Sequence, residues 1–346
     1  MIRSFKGRAI NLRNLWNKGY SYNYGQIQVK SFPSIRIEPT NACMMNCKMC
    51  PRRYMKRKVG FMNIQFFEKI LSQLKFRNQS VTLHHIGDPL LHPEIGEMIK
   101  IAHKYGFRAG FSTNPISLTD KNIGIILKNH LDFILISLDG ATKATLEKIR
   151  GKNANYEKSI QNLNNFIAEK VRRKLKKPIT TVSIILMKET EKETEKEIAD
   201  FKMKWNVQGV DDVLVKHFIR WEGTMKEINK LAKDTQLVKS HDKEQDFPCF
   251  WPWNKIVVYW DGRVVPCCCD SDAKSVLGDL NKQTLAEIWN GPKMKQFRKE
   301  VIKNRFPKGH ICESCHEKEG IAVSKSYPFN IILKKGLKIK DYLKYD

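Results

Sequence analysis

From about residue 34 onward, short apolar runs alternate with longer stretches of helical period. "SIRIEP" (34–39), "SVTLHHIG" (80–87), "FRAGFST" (107–113), "FILISLDG" (133–140), "TTVSIILM" (180–187) and "VLVKHFI" (213–219) are rich in β-branched residues. Several are nearly continuous in apolar character, as strands covered on both faces tend to be. Between them, Phe66, Ile70 and Leu74 share one face of 63–76, and Ile160, Leu163, Phe166 and Ile167 share one face of 156–176. Core packing asks for such stripes. Six strand–helix units in succession predict an α/β fold, a parallel sheet curled into a partial (β/α)6 TIM-like barrel over 34–221.

After residue 220 the pattern changes. A polar segment, 222–246, reads as a linker helix. "KIVVYWDGRVVPCC" then predicts a β-hairpin, with Asp261 and Gly262 supplying the turn. Short helices follow around "TLAEIWN" and "PKMKQFRKEVI". This region, 247–325, is small and holds six of the nine cysteines, as expected of a module stapled by metal. A basic segment (1–33) precedes the barrel and a basic tail (326–346) follows the module. "KETEKETEKE" (188–197) suits an exposed helix start, and "KVRRKLKK" (170–177) a solvated helix end.

Composition narrows the class. No run of eighteen apolar residues occurs, which excludes a membrane-spanning helix on ordinary criteria, and no secretory h-region follows the early basic residues. The expected location is the cytoplasm. Sixty-two Lys and Arg against thirty-six Asp and Glu give a formal charge of +26. That balance fits solvated helix faces, or an acidic partner such as a nucleotide-sugar, a nucleic acid or an anionic membrane surface. Residues 1–37 contain no Asp or Glu, and Ile10, Leu12, Leu15 and Trp16 lie between their basic residues. A helix resting on a membrane or covering the barrel would read this way.

The cysteines fall into groups: Cys43, Cys47 and Cys50; then Cys249; then Cys267, Cys268 and Cys269; then Cys312 and Cys315. Disulfide scaffolds belong to small secreted chains, so metal binding in a reducing compartment is the better reading. "CMMNCKMC" places three thiols at C-x3-C-x2-C directly after the first predicted strand, where barrel-type active sites are built. Three thiolates hold three irons of a [4Fe–4S] cube and leave the fourth open; zinc with a remote fourth ligand is the plainer alternative.

"IEPTNACMMNCKMCPR" closely resembles the cluster loop of the radical S-adenosylmethionine (SAM) enzymes. The resemblance implies that SAM chelates the open iron and is cleaved to methionine and a 5′-deoxyadenosyl radical, which takes hydrogen from substrate. It further implies SAM contacts at Gly87, Asp88 and Pro89 in "HIGDPLLHP", at Ser112 and Asn114 in "STN", and at Ser137 and Asp139 in "SLDG". The family's Gly-Gly-Glu-Pro-like stretch carries Asp88 here, which shortens the acceptor's reach and shifts the contact toward backbone carbonyls. Arg150 is a candidate partner for the SAM carboxylate, or simply a helix C-terminal cation. Met49 is a candidate adenine contact, and His84, His85 and His92 are expected near the site. No catalytic acid or base is assigned.

The second set, Cys249, Cys267, Cys312 and Cys315, resembles the SPASM auxiliary-cluster module in its shorter, twitch-like form. Four thiolates would close a second [4Fe–4S] cluster. Cys268 and Cys269 stay spare, as buried thiols or as a hydrogen-atom donor, and a zinc ribbon is the plainer reading of the module. Taken together, the resemblance implies an oxidoreductase of the aminocyclitol dehydrogenase type. The implied substrate is a sugar, cyclitol or nucleotide-sugar alcohol, a phosphorylated one suiting so basic a protein, with flavodoxin or ferredoxin as electron donor. Two alternatives stand beside it: a SPASM-type peptide-modifying enzyme, and a metal-stabilised nucleic-acid-binding protein. Against the last, the basic residues are spread along the chain without an aromatic platform.

Overall fold

The structure, a computed structural model, describes residues 26–74, 79–151, 153–186, 195–231 and 249–315. The basic stretch 1–25, most of "KETEKETEKE", most of the expected linker helix and the tail 326–346 lie outside the described residues.

All six predicted strands form, as β1 (Ser34–Ile37), β2 (Ser80–Thr82), β3 (Arg108–Thr113), β4 (Phe133–Ser137), β5 (Ile179–Leu186) and β6 (Asp212–His217). They pair in parallel and in chain order, from β1 to β6. Strand β6 does not return to β1, so the barrel is open. Helices α1 (Ile64–Ser72), α2 (Ile95–Lys104), α3 (Asp120–Lys128), α4 (Lys143–Arg150), α5 (Tyr156–Arg172) and α6 (Glu195–Trp205) make the crossovers. Their starts are marked in the sequence: Asn63, Thr119, Thr142 and Asn155 each accept a backbone N–H in the first turn of the helix that follows. Ile35 and Ile37 of β1 are buried in the core, whereas Ser34 and Arg36, two residues apart, line the barrel's interior.

The hairpin forms where expected, from β7 (Lys255–Val258) and β8 (Arg263–Val265), with Gly262 at φ +93 closing the turn. Strand β7 runs parallel to β1, pairing Ser34 with Lys255 and Ile37 with Val258, and β9 (Gly278–Asp279) continues beyond β8. Barrel and cysteine-rich region therefore share one nine-stranded sheet. Short helices α7 (Lys226–Asn229) and α8 (Trp251–Asn254) precede the hairpin, and α9 (Leu285–Trp289) and α10 (Pro292–Lys303) follow it.

The described end of the basic N-terminal segment is a clasp on the module, and the helix expected around Ile10, Leu12, Leu15 and Trp16 lies outside the described residues. The carbonyls of Gln26, Ile27 and Ser31 accept from Trp253, Arg298 and Trp289, at 2.8, 2.8 and 2.7 Å, and Val29 exchanges two 2.9 Å bonds with Asn290. One expectation is corrected: the stretch 170–177 is not uniformly solvated, because Lys170 is buried and its ammonium bonds Thr180, the Gly209 carbonyl and Asp211.

Candidate active site

Residues 38–62 leave the top of β1, carry the three cysteines, and return. Thr40 and Asn41 close the stem of this excursion. The Thr40 hydroxyl donates to the Gly60 carbonyl at 2.7 Å, and Asn41 exchanges 2.9 Å bonds with the Lys58 carbonyl and the Gly60 amide. Arg57 forms a two-pronged ion pair with Glu38 at 2.8 and 2.9 Å. The "PTN" of the motif is thus a structural clamp, a role that sequence reasoning missed. Two glycines let the backbone pack against this loop. Gly87 has φ +102, and a Cβ there would stand 2.5 Å from the Thr40 carbonyl oxygen; Gly151 has φ +84, with its Cβ position 2.6 Å from the Asn46 carbonyl oxygen. The Lys48 amide donates to the Ile149 carbonyl at 2.9 Å, so α4 buttresses the cluster loop from below.

Cys43, Cys47 and Cys50 are all reduced and all line one cavity of about 770 Å³. Burial, with Asp88 nearby, pushes the Cys43 thiol up to about 11; burial, with Cys47 nearby, pushes Cys50 to about 12. The protein alone keeps these thiols protonated, and a bound iron centre is what would displace the protons. Among the described residues no three His, Cys, Asp or Glu side chains are drawn together as a single ion requires. The fit to a cluster therefore rests on the donor set: three soft thiols on one tight loop, with glycines clearing its back.

All but one of the predicted cofactor contacts gather at this cavity, though several already bond one another or their neighbours. Gly87, Asp88, Ser112, Asn114, Ser137, Asp139 and Arg150 line it; Pro89 does not. The Asp88 carboxylate is fully enclosed: it accepts from Thr113 at 2.9 Å, Asn114 at 2.5 Å, Ser117 at 2.6 Å and the Leu90 amide at 3.1 Å. It knits the end of β2 to the end of β3, so an acceptor for a ligand here falls to the backbone. The Arg150 guanidinium is likewise committed, to Asp139 at 2.6 Å, the Ser137 carbonyl at 2.5 Å and the Cys47 sulfur at 3.6 Å. Burial works against its charge, but Asp139 and the neighbouring thiols more than offset that. It braces the loop rather than standing free for a carboxylate. Asp139 sits at φ +59, a left-handed position that Asp tolerates, and Gly140 behind it leaves room for Leu146 of α4.

Lys216, overlooked in the sequence, extends from β6 to the Ser137 hydroxyl at 3.1 Å and to Asp139 at 3.5 Å. His84 accepts the Ser112 amide through Nδ1 at 3.2 Å. His85 places Nε2 3.2 Å from the Asp270 carbonyl, and its buried Nδ1 has no partner among the described residues. Burial, reinforced by Arg36, keeps both imidazoles neutral. His92 is not in the cavity; its ring bridges the Met62 carbonyl at 2.9 Å and the Glu94 amide at 3.1 Å, a loop-return anchor. Met49 lines the cavity, and its carbonyl accepts from the Trp221 indole at 3.0 Å.

The second group of thiols comes from Cys249 ahead of β7, Cys267, Cys268 and Cys269 after β8, and Cys312 and Cys315 after α10. Cys249 is half-buried, and desolvation pushes its thiol well up, with Cys267, Cys315 and Cys268 close enough to add to the effect. Cys269 is buried, with Cys267, Cys268 and Cys315 beside it. Cys315 also donates to the Trp221 carbonyl at 3.7 Å, so Trp221 touches both thiol groups' surroundings. Cys268 faces the main cavity. These clustered, reduced thiols are a donor set suited to a second iron–sulfur centre.

Comparison with known proteins agrees with this geometry. Residues 37–201 match the profile of the radical SAM superfamily, and residues 249–316 match the iron–sulfur cluster-binding domain called SPASM. The tungsten-containing aldehyde ferredoxin oxidoreductase cofactor-modifying protein of Pyrococcus furiosus is 25% identical over 301 residues, which is 76% of this chain and 82% of that protein. The S-adenosyl-L-methionine-dependent 2-deoxy-scyllo-inosamine dehydrogenase of Niallia circulans is 21% identical, over 83% of this chain and 94% of that one. Among solved structures, Streptococcus suis SuiB bound to precursor peptide SuiA shares the fold with a TM-score of 0.58 at 15% identity, covering 83% of this chain and 70% of SuiB. With an open parallel barrel, a three-thiol loop after its first strand and a second thiol-rich unit joined to the same sheet, the chain belongs to the radical SAM superfamily as a SPASM-type enzyme.

Proposed function

We propose that this enzyme removes a hydrogen atom from an alcohol carbon of a sugar, cyclitol or nucleotide-sugar and oxidises the resulting substrate radical to a carbonyl. One observation carries the reading: the same 770 Å³ cavity is lined by Cys43, Cys47 and Cys50 and also by Cys268. A substrate in that volume has both thiol groups as neighbours. The likeness to the dehydrogenase over most of both chains supports the same reaction class.

In this reading Cys43, Cys47 and Cys50 hold a [4Fe–4S] cluster with one open iron, and Cys249, Cys267, Cys312 and Cys315 close a second. The domains are the barrel over 34–221 and the auxiliary module over 247–325. Together with SAM, the first cluster supplies a 5′-deoxyadenosyl radical as hydrogen abstractor, and the closed second cluster supplies an electron acceptor. The protein's own part is positional. Gly87, Asp88 and Pro89 place backbone groups at the top of β2, and Ser112, Asn114, Ser137 and Asp139 form the polar wall that SAM's ribose and amino acid face. Arg150 and Lys216 hold that wall's charge balanced through Asp139. Oxidising an alcohol to a carbonyl releases one proton besides the hydrogen atom and the electron. That proton would pass to water, because burial disfavours a charged imidazole at both His84 and His85. A flavodoxin or ferredoxin is the proposed donor of the priming electron.

The second reading is peptide modification, favoured by the shared fold with SuiB, which was solved with a precursor peptide. Anaerobic incubation of reconstituted protein with SAM, reductant and panels of sugar alcohols, cyclitols and peptides separates the two. A carbonyl product formed with 5′-deoxyadenosine from a polyol supports the dehydrogenase; turnover confined to peptides overturns it.

A further inference from the structure

The excursion 38–62 has two faces, and the cavity uses only one. Cys43, Met45, Cys47, Met49 and Cys50 line the cavity. Met44, next to Cys43, is exposed, and the 3-10 turn Pro51–Tyr54 that follows Cys50 carries exposed Arg53 and Tyr54. The chain then returns through exposed Lys56, Lys58, Val59 and Phe61. Its two arms are stitched together. Arg52 donates to the Asn41 and Met45 carbonyls at 3.2 and 3.4 Å, and Asn41 reaches the Met55 sulfur at 3.6 Å and the Lys58 carbonyl at 2.9 Å.

Eight large apolar side chains are exposed among the described residues, and four of them, Met44, Tyr54, Val59 and Phe61, stand on this one excursion at 40 to 56% exposure. Apolar surface gathered in that way is the mark of an interaction site. The charge around it has one sign. Residues 39–67 contain Lys48, Arg52, Arg53, Lys56, Arg57 and Lys58 and no Asp or Glu. Arg57 is taken by Glu38. Arg53, Lys56 and Lys58 have no ion-pair partner among the described residues, and Arg53 rests 5.9 Å over the Tyr54 ring. The bordering acids are few. Asp272 accepts the amides of Lys56 and Arg57; Glu227 pairs with Lys230, whose charge is felt by Tyr54; Glu94 stands next to His92, against which Phe61 packs.

We infer that this outer face docks an acidic one-electron carrier protein, which delivers the priming electron to the three-thiol site. The inference rests on the reading of Cys43, Cys47 and Cys50 as holders of an iron–sulfur centre. With SAM and substrate on the inner side of the loop, the outer side is left for the donor. In the docked pair the carrier loses one electron and the iron centre gains it; no bond forms or breaks. An apolar patch with a cationic rim suits so transient an encounter, since rim charges steer the approach and a small contact area lets the oxidised carrier leave. A nucleic acid would ask for a longer basic track with stacking platforms, and a membrane for an amphipathic helix, which this loop is not.

The test is isothermal titration of the reconstituted protein with a bacterial ferredoxin and, separately, a flavodoxin, at low ionic strength and at about 0.15 M. At least one carrier is expected to bind, and to bind more weakly at the higher salt. Lys56→Glu/Lys58→Glu should weaken it about tenfold or more. Lys202→Glu/Lys299→Glu changes the net charge equally at exposed positions on α6 and α10, and should leave affinity within about twofold at the higher salt. Tyr54→Ser should weaken binding while keeping its salt dependence. With dithionite in place of a carrier, Lys56→Glu/Lys58→Glu should match the parent in its SAM-responsive EPR signal. Equal affinities in the two double variants, or no binding of either carrier to the parent, would overturn the docking face. So would retention on phosphatidylglycerol vesicles that Lys56→Glu/Lys58→Glu abolishes, which would assign the face to a membrane. A dithionite-reduced parent without a SAM-responsive signal would instead count against the iron–sulfur reading itself, so the two failures are told apart.

Discussion

Arg57 grips Glu38 through two hydrogen bonds of 2.8 and 2.9 Å, and the same guanidinium lies 3.7 Å over the ring of Tyr259. Its Nε also donates to the Ser271 carbonyl at 3.0 Å, while Asp272 accepts the amides of Lys56 and Arg57. One buried side chain thus joins the stem of the cluster loop to the auxiliary module. Removing one partner leaves an uncompensated buried charge, which typically costs about 3–5 kcal/mol. Arg57→Ala should lose stability on that scale in denaturant unfolding, and the double variant Glu38→Gln/Arg57→Met should lose less than the single one. Equal losses would show that the ion pair is not what holds the two parts.

Gly151→Ala tests the support beneath the loop. The new methyl would meet the Asn46 carbonyl oxygen at a backbone angle that side chains rarely adopt. Destabilisation of more than about 1 kcal/mol is expected, together with reduced iron content in the first site and unaltered iron in the second. Normal loading of both sites would contradict the role given to this glycine.

Of the three adjacent cysteines, Cys267 is the proposed ligand. Cys267→Ala should abolish the EPR signal of the auxiliary cluster while leaving the SAM-responsive one. Cys268→Ala should retain both signals, because that residue faces the cavity. The reverse result would exchange their roles.

Acid sensitivity has an identifiable source. Burial alone would raise the Asp132 carboxyl, but Lys177, His103 and the Ala109 amide hold it below the usual value. Its contribution to stability is therefore present above the unfolded-state pKa of about 3.9 and is lost as pH falls through the lower folded value. Urea unfolding across pH 2–6 (roughly that span of titration) should show a shallower acid limb for Asp132→Asn than for the parent. Identical slopes would rule out this carboxylate as the source.

The sequence made the barrel strands, the hairpin and the three-thiol loop legible because each depends on local signals: β-branched runs, an Asp-Gly turn and a fixed cysteine spacing. It could not reveal that Asp88 and Arg150 are consumed inside the protein. Their partners, Thr113, Asn114, Ser117 and Asp139, come together only through strand register and the α4 crossover. The clasp at 26–31 was hidden for a related reason, since its bonds reach residues more than two hundred positions away.

The most direct test is EPR of the anaerobically reconstituted, dithionite-reduced protein with and without SAM, coupled to an assay for 5′-deoxyadenosine. Two [4Fe–4S] signals are predicted, of which SAM alters one, with 5′-deoxyadenosine formed and with that signal alone lost when Cys43, Cys47 and Cys50 are replaced by Ala. Bound zinc, no SAM-dependent change and no cleavage product would contradict the account.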